Sequence, residues 1–185
     1  MKKSLYLIAA LTVFGAAMAV AQPRAIGGRL GAFEGFSYQH GFGESNMLEL
    51  EVGWSINGRL SNSNGSIWGH NLQLAATYDW IDPFGANFES VWEHKGMWHW
   101  YMGVGGAGGY GWHAYTTAVN GSLNWGFVGA AGRVGVEYDF WFPLQLSIDY
   151  RPTLGLGLAD NGVGGAEAGF YWEVTSLALG VRYKF

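Results

Sequence analysis

The sequence predicts an all-β fold, an eight-stranded antiparallel barrel that crosses a membrane with its strands and has a filled polar lumen. Glycine is abundant at 31 residues, and 17% of residues are aromatic, with both types interleaved along the chain. Downstream of the first twenty or so residues, apolar and polar residues alternate with period 2, which indicates strands with one polar and one apolar face. Few charges, many aromatics and repeated alternation are typical of a transmembrane barrel.

The first segment is expected to be removed before folding. Lys2 and Lys3 precede an apolar run and then a small-residue stretch that ends at Ala21. This order predicts a secretory signal peptide over residues 1–21 and a barrel domain over 22–185; cleavage after Ala19 stays open. The apolar run is shorter than the roughly 20 residues that a membrane-spanning helix needs.

Charge and cysteine content exclude several classes of function. Without Lys2 and Lys3 the chain keeps 8 basic residues against 14 acidic ones, a poor balance for a nucleic-acid binder. The sequence contains no cysteine, which excludes disulfides, thiolate catalysis and cysteine zinc sites.

Eight strands follow from the alternation. Polar residues such as Glu49, Asp79 and Glu137 alternate with large apolar ones on most runs, whereas 36–42 is short and aromatic and 98–110 is glycine-rich with ambiguous facing. The predicted strands cover residues 25–33, 36–42, 47–57, 69–80, 98–110, 125–140, 144–154 and 174–185. Short turns at 43–46 and 141–143 and longer connections at 58–68, 111–124 and 159–172 then lie at opposite ends, as in outer-membrane barrels. The turn at 34–35 is unusually short and the connection 81–96 unusually long.

Charged residues on the wet faces are predicted to fill the lumen as a salt-bridged network. Eight strands leave room for side chains alone, and buried charges must pair. A gated ion path is the alternative. The predicted lumen residues are Arg29, Glu49, Glu51, Asp79, Arg133, Glu137, Asp149, Arg151 and Arg182, with Lys184 beside them.

Aromatic residues are expected to mark the two membrane interfaces. Their amphipathic rings favour the headgroup level. The expected girdle residues are Trp54, Trp80, Trp98, Trp100, Trp125, Tyr138 and Tyr183. Carbohydrate stacking is the alternative for Trp68 and Trp112, which border the predicted outer loops.

Small residues on the fifth and sixth strands suggest a surface for another membrane protein. Gly103, Gly105, Ala130 and Gly132 are the candidates, because small residues allow close approach in lipid. The alternative is that these glycines serve curvature.

No cofactor, metal or catalytic site is predicted. Residues 103–108 match G-x-G-x-x-G, but no amphipathic helix follows, so the dinucleotide reading fails. A metal site needs three or four converging ligands, and the histidines are scattered over separate elements. No G-x-S-x-G elbow occurs, although His113, Ser122 and Asp160 could converge. We therefore expect a protein that is not an enzyme.

The chain resembles the small eight-stranded outer-membrane barrels of the OmpA and OmpX kind, including "porin family" barrels of unassigned role. The resemblance rests on the signal peptide, the eight strands and the ending Val181-Arg182-Tyr183-Lys184-Phe185, with similar stretches at 35–40 and 146–152. It implies that Tyr183 and Phe185 form the signal read by outer-membrane assembly machinery. It also implies contact with the lipid and lipopolysaccharide of a Gram-negative outer membrane. The even number of strands predicts both termini on one side of that membrane, the periplasm.

Function is left open by this resemblance, since one fold hosts many activities. The first expectation is a structural or accessory barrel, as a lone protein or as a subunit of a larger assembly. The second is recognition of a glycan, host protein or small ligand by external loops. The third is a lipid-modifying enzyme.

Overall fold

The computed structural model describes residues 23–62, 65–82, 96–116, 123–160 and 165–185. Twelve β-strands lie in these ranges, and no helix there is long and apolar enough to cross a bilayer. The strands are β1 (Pro23–Gly31), β2 (Phe33–Gly41), β3 (Asn46–Ser55), β4 (Arg59–Asn62), β5 (Gly65–Trp68), β6 (Asn71–Ile81), β7 (Gly96–Thr116), β8 (Leu123–Phe140), β9 (Gln145–Tyr150), β10 (Thr153–Asp160), β11 (Ala166–Glu173) and β12 (Leu177–Lys184). The predicted signal peptide, His94 and Ser122 lie outside the described residues.

The strands close into an antiparallel barrel, which confirms the predicted fold class. The twelve strands occupy eight positions around the wall, which we call staves. Four staves are each interrupted once: β3 continues into β4, β5 into β6, β9 into β10 and β11 into β12. At the end of the barrel that carries Pro23 and Phe185, called here the terminus end, eight strands form the ring. The first strand closes it against the last, with Gly28 opposite Val181.

The opposite end of the barrel, called the loop end, is built from six strands. The β1–β2 hairpin turns at Ala32, well short of the loop end, so neither strand continues. Beyond this turn β4 pairs directly with β11, with Leu60 opposite Tyr171. We call the two parts the eight-stranded half and the six-stranded half.

Gly31 makes the short hairpin possible. Its φ of +136° suits glycine, and an added Cβ would lie 2.7 Å from the Leu177 carbonyl oxygen. The next residue, Ala32, donates its backbone N–H to that same oxygen at 3.0 Å. The hairpin tip is thereby joined to β12 where the staves break.

Three predicted loops are wrong in the structure. Residues 59–62 and 65–68 form the paired strands β4 and β5, residues 111–116 and 123–124 extend β7 and β8, and residues 166–172 belong to β11. The short turns at 43–46 and 141–143 hold to within a residue. The strands β4 and β5 were not predicted because their apolar residues Leu60 and Ile67 face inward, opposite to the apolar residues of the eight-stranded half.

The alternation of polar and apolar residues along each strand determines which side chains face the lumen and which face outward. Along β6, burial alternates at every residue from Asn71 to Ile81. Gln73 and Asp79 lie fully buried inside, whereas Leu74 is 63% exposed on the outside. The wall therefore has an apolar exterior around a polar interior in its eight-stranded half.

Candidate functional site

The structure places all nine predicted lumen residues inside the barrel. None of them is more than 4% exposed. They come from β1, β3, β6, β8, β9 and β12 and from the link after β9, so the network ties together most of the wall. The nine are Arg29, Glu49, Glu51, Asp79, Arg133, Glu137, Asp149, Arg151 and Arg182.

Arg133 of β8 is the centre of this network. Its guanidinium pairs with Glu49, with Asp79 at 2.8 Å and with Asp149 at 3.3 Å. It also donates to the Tyr101 hydroxyl at 3.1 Å and lies over that ring, 4.6 Å from its centroid. One cation therefore neutralises carboxylates from three different strands.

Two further arginines complete the pairing around Arg133. Arg29 pairs with Glu51 and Asp149. Arg182 pairs with Glu49 at 2.7 Å and donates to the Ser37 hydroxyl at 2.7 Å. Hydrogen-bonded pairing of this kind offsets the desolvation of buried charges.

The network continues from the eight-stranded half into the six-stranded half. Arg151 lies 3.1 Å from Glu51 and donates to Gln73 at 3.3 Å. Gln73 in turn donates to Glu173 at 2.7 Å, and the Tyr171 hydroxyl donates to Glu173 at 2.8 Å. Tyr171 thus connects the polar network to the aromatic side chains that fill the six-stranded half.

Sequence reasoning missed Arg24, Tyr101 and Glu173. Arg24 pairs with Glu137 at the terminus end and lies one residue before the predicted first strand. Glu173 accepts from Ser55 at 2.6 Å. Its position two residues from Tyr171 on one strand face was the available signal, but Tyr171 lay in the predicted loop 159–172 and Glu173 fell outside every predicted strand. Lys184 lies at the rim, where it donates to the Phe140 carbonyl at 2.9 Å.

Phe33, at the tip of the β1–β2 hairpin, separates the two interiors. It is 1% exposed and turns inward. The guanidinium carbons of Arg151 and Arg29 lie 5.0 Å and 5.7 Å from its ring centroid. Cation–π contact lets an apolar ring border the charged compartment.

Aromatic and aliphatic side chains fill the six-stranded half. Phe127 and Tyr171 stack with ring centroids 3.6 Å apart, and Trp125 lies 5.8 Å from Tyr171. Leu60 and Ile67 pack in the same cluster. The prediction of Trp125 as a girdle residue is wrong, because it is 1% exposed and points inward.

The other girdle residues lie on the outer face or at the rim. Trp80, Trp98 and Tyr183 are between 36% and 54% exposed near the terminus end, and Phe185 beside them is 70% exposed. Tyr138 also faces outward but is covered by Trp98, at 4.9 Å between centroids. Trp100 is half-buried.

A second group of exterior aromatics lies towards the loop end. Trp54 packs against Trp112 at 4.8 Å and donates to His70 at 3.1 Å. Trp68 is 39% exposed on β5. Both candidates for carbohydrate stacking, Trp68 and Trp112, therefore belong to strands of the wall rather than to loops.

Half of the predicted partner surface faces the wrong way. Gly103 and Gly105 point into the lumen, where an added Cβ would lie 2.6 Å from the Tyr78 carbonyl oxygen and 2.7 Å from the Thr77 Cα respectively. Gly103 leaves room for the Asp79 carboxylate of the ion network, and Gly105 allows the close approach of the β6 backbone. Ala130 and Gly132 do face outward.

The described residues assemble no metal centre. Among them no group of three His, Asp or Glu side chains could hold an ion. His99 pairs with Asp82 at 2.6 Å near the terminus end, whereas His40 and His70 contact aromatics of the outer wall. Residues 103–108 lie within β7, so no helix begins there to hold a dinucleotide.

Comparisons with known proteins leave the family of the chain open. No family model matches the sequence, and no curated protein matches it. A solved structure, a major outer membrane protein from Thermus thermophilus, superposes with a TM-score of 0.47 at 14% identity. The superposition covers 88% of this chain and 98% of that chain. Membership of the OmpA and OmpX kind stays a prediction.

Proposed function

We propose that this chain is a non-enzymatic integral barrel of a bacterial outer membrane, with a structural or accessory role, as a lone protein or as a subunit of a larger assembly. Eight staves return the chain to its starting side, so both termini lie together in the periplasm. The loop end then faces the cell exterior.

One observation supports the membrane location above all others: burial is inverted. Phe36, Val128 and Leu156 are at least 70% exposed on the outer wall, whereas Arg29 and Glu49 are at most 1% exposed inside. Water-soluble proteins bury large apolar side chains and expose charges. An apolar exterior on a closed barrel matches a bilayer, in which every backbone polar group must be paired.

The filled interior supports a structural role over that of a pore. The ion network occupies the eight-stranded half, and the stacked rings of Phe127 and Tyr171 close the six-stranded half. A channel needs a continuous water-filled path, as in barrels with many more strands.

Single-cysteine labelling tests the location, because the native chain has no cysteine. Leu74→Cys places a nitroxide on the outer wall of β6, and Trp141→Cys places one in the β8–β9 turn, where the side chain is 66% exposed. In lipid vesicles we expect the Leu74 label to be relaxed by oxygen and protected from an aqueous nickel chelate, and the Trp141 label to show the reverse. A Leu74 label reached by the chelate would disprove the membrane location.

Native extraction in mild detergent, with sizing and mass spectrometry, tests the accessory role. A stoichiometric outer-membrane partner would identify an assembly subunit. A lone monomer would be consistent with the structural role and would contradict the role as an assembly subunit.

A further inference from the structure

A groove on the outer wall near the loop end has the chemistry of a saccharide site. It has a volume of about 460 Å³ and lies across β7, β8, β10 and the start of β11. We propose that it binds one neutral hexopyranose unit, with Tyr110 and Leu158 as side walls, Gly126 as floor, and Asn124 and Asp160 as the polar edge.

The strand register builds the slot. Tyr110 and Leu158 both lie opposite Gly126, one on each neighbouring strand, and all three face outward. Adjacent strands are about 4.8 Å apart, so the two flanking Cα atoms are separated by about 10 Å, enough for a six-membered ring between them.

Gly126 leaves this slot open. An ideal Cβ at this position would meet Gly109 O at 3.5 Å and Tyr110 Cδ2 at 3.9 Å, both ordinary contacts. A side chain therefore fits here, and the glycine is not required by crowding. Because Gly126 has no side chain, a ligand can contact the backbone at the floor of the groove.

The lining combines groups that a sugar ring uses. Tyr110 is 53% exposed and Leu158 is 59% exposed, so both offer apolar surface to the C–H face of a ring. Asn124 supplies a donor and an acceptor, and Asp160 adds a carboxylate, which accepts hydrogen bonds from hydroxyl groups. A few polar groups beside apolar walls are typical of sites for small ligands.

Charge narrows the ligand class. Of the described residues that line the groove, Asp160 alone is charged. This described charge is negative, which disfavours phosphate and other anions, and the apolar side walls favour a neutral sugar ring over a small cation.

The height of the groove indicates where the sugar comes from. In the next row towards the terminus end, Val128 and Leu156 lie opposite each other and are each 70% exposed. Towards the loop end the exterior becomes polar at Asn124 and Asp160. If the proposed membrane location holds, the slot lies at the upper interface, where glycolipid headgroups and surface polysaccharide both present sugars. The sugar site itself does not depend on that location.

Saturation-transfer NMR on the mature chain in a sugar-free zwitterionic detergent tests the proposal. The probes are the methyl glycosides of glucose, galactose, mannose and N-acetylglucosamine, with choline as the cationic comparison. We expect transfer to the ring protons of at least one glycoside. Tyr110→Leu and Gly126→Val should each weaken binding by about threefold or more, since each removes or obstructs the stacking surface.

Tyr78→Leu is the matched control, because Tyr78 is an outward tyrosine near the terminus end, 39% exposed. It should leave the transfer unchanged, and a heat-dependent shift in gel mobility should show that every variant is folded. Transfer to no glycoside, equal transfer in all variants, or transfer to choline alone would overturn the proposal.

Native mass spectrometry from micelles containing glucosyl-diacylglycerol or plain diacylglycerol separates the two sources. Selective retention of the glycolipid indicates a headgroup, and binding of free glycosides without retention indicates a surface glycan. Failure of the sugar arms together with a lipid-protected label at Leu74 would reject the site and keep the membrane location.

Discussion

The eight-stranded half and the six-stranded half share β7 and β8 but are filled in opposite ways. In the first, Arg133 and its neighbours form a network of buried ion pairs. In the second, Trp125, Phe127 and Tyr171 form a stacked aromatic core. A single strand contributes to both interiors, since Phe127 and Arg133 both point inward from β8.

The difference shows that the circumference of a barrel decides what can fill it. Barrel diameter grows with strand number, and eight strands leave space for long side chains that meet in the centre. With six strands the bore is narrower, and flat rings pack it without the hydrogen-bond partners that charges require. The tip of the β1–β2 hairpin marks the boundary, and Phe33 lies there with arginine on its ring.

The largest effect is expected at the centre of the ion network. Arg133→Met leaves Glu49, Asp79 and Asp149 short of a cation, and breaking a buried pair in this way costs about 3–5 kcal/mol. Guanidinium unfolding in vesicles, followed by tryptophan fluorescence, measures the loss. Arg59→Met is the matched control, because Arg59 is exposed and stacks on Trp172 at 5.3 Å on the outside of the barrel. A loss of the same size there would contradict the network.

Neither Arg133→Met nor Glu137→Ala should open a channel. The aromatic core still closes the six-stranded half in both variants. Planar-bilayer recordings should stay silent, and steady single-channel currents from either variant or from the native protein would contradict a filled barrel.

A smaller effect is expected in the aromatic core. Phe127→Leu keeps an apolar residue but removes the stack on Tyr171, at a cost of about 1–2 kcal/mol. Phe170→Leu, on an outward face of β11 that is 51% exposed, is the control and should change the unfolding free energy little. Equal losses for the two would mean that the stack contributes nothing.

The link between the halves should be weaker still. Tyr171→Phe removes the hydroxyl that donates to Glu173 and accepts from Gln73, worth about 1 kcal/mol net. Unfolding in vesicles measures this loss, and a stability equal to that of the native chain would show that the halves are not coupled through this hydroxyl.

Combining Arg133→Met with Phe127→Leu tests independence. The two sites are six residues apart on one strand, about 20 Å, so the losses should add within about 0.5 kcal/mol. A larger departure from additivity would show that the two interiors are a single cooperative unit.

Period-2 alternation was enough to predict the barrel and the inward charges, because each charge shares its strand face with other polar residues. Trp125 was misplaced although it lies eight residues from Arg133 and therefore on the same face. The error came from assuming that apolar residues point outward along the whole strand, which fails where the interior itself is apolar. Gly103 and Gly105 gave no facing signal, since they have no side chain to alternate.

The change from eight strands to six could not be predicted from local pattern. It depends on β4 meeting β11 across more than a hundred residues of sequence. The short turn predicted at 34–35, which the structure places at Ala32, was the available sign in the sequence. A short turn alone does not show which strands pair beyond it.

Two separate seams close the wall, and they lie at different points of the chain. The β1–β12 seam joins the first and last strands that the structure describes. The β4–β11 seam lies between them in sequence, so the stretch 59–173 contains every described strand of the six-stranded ring. If β1 and β12 separate, water would therefore reach the ion network from the terminus end, and the six-stranded ring would stay closed. We therefore expect the barrel to stay closed to solutes when the β1–β12 seam opens.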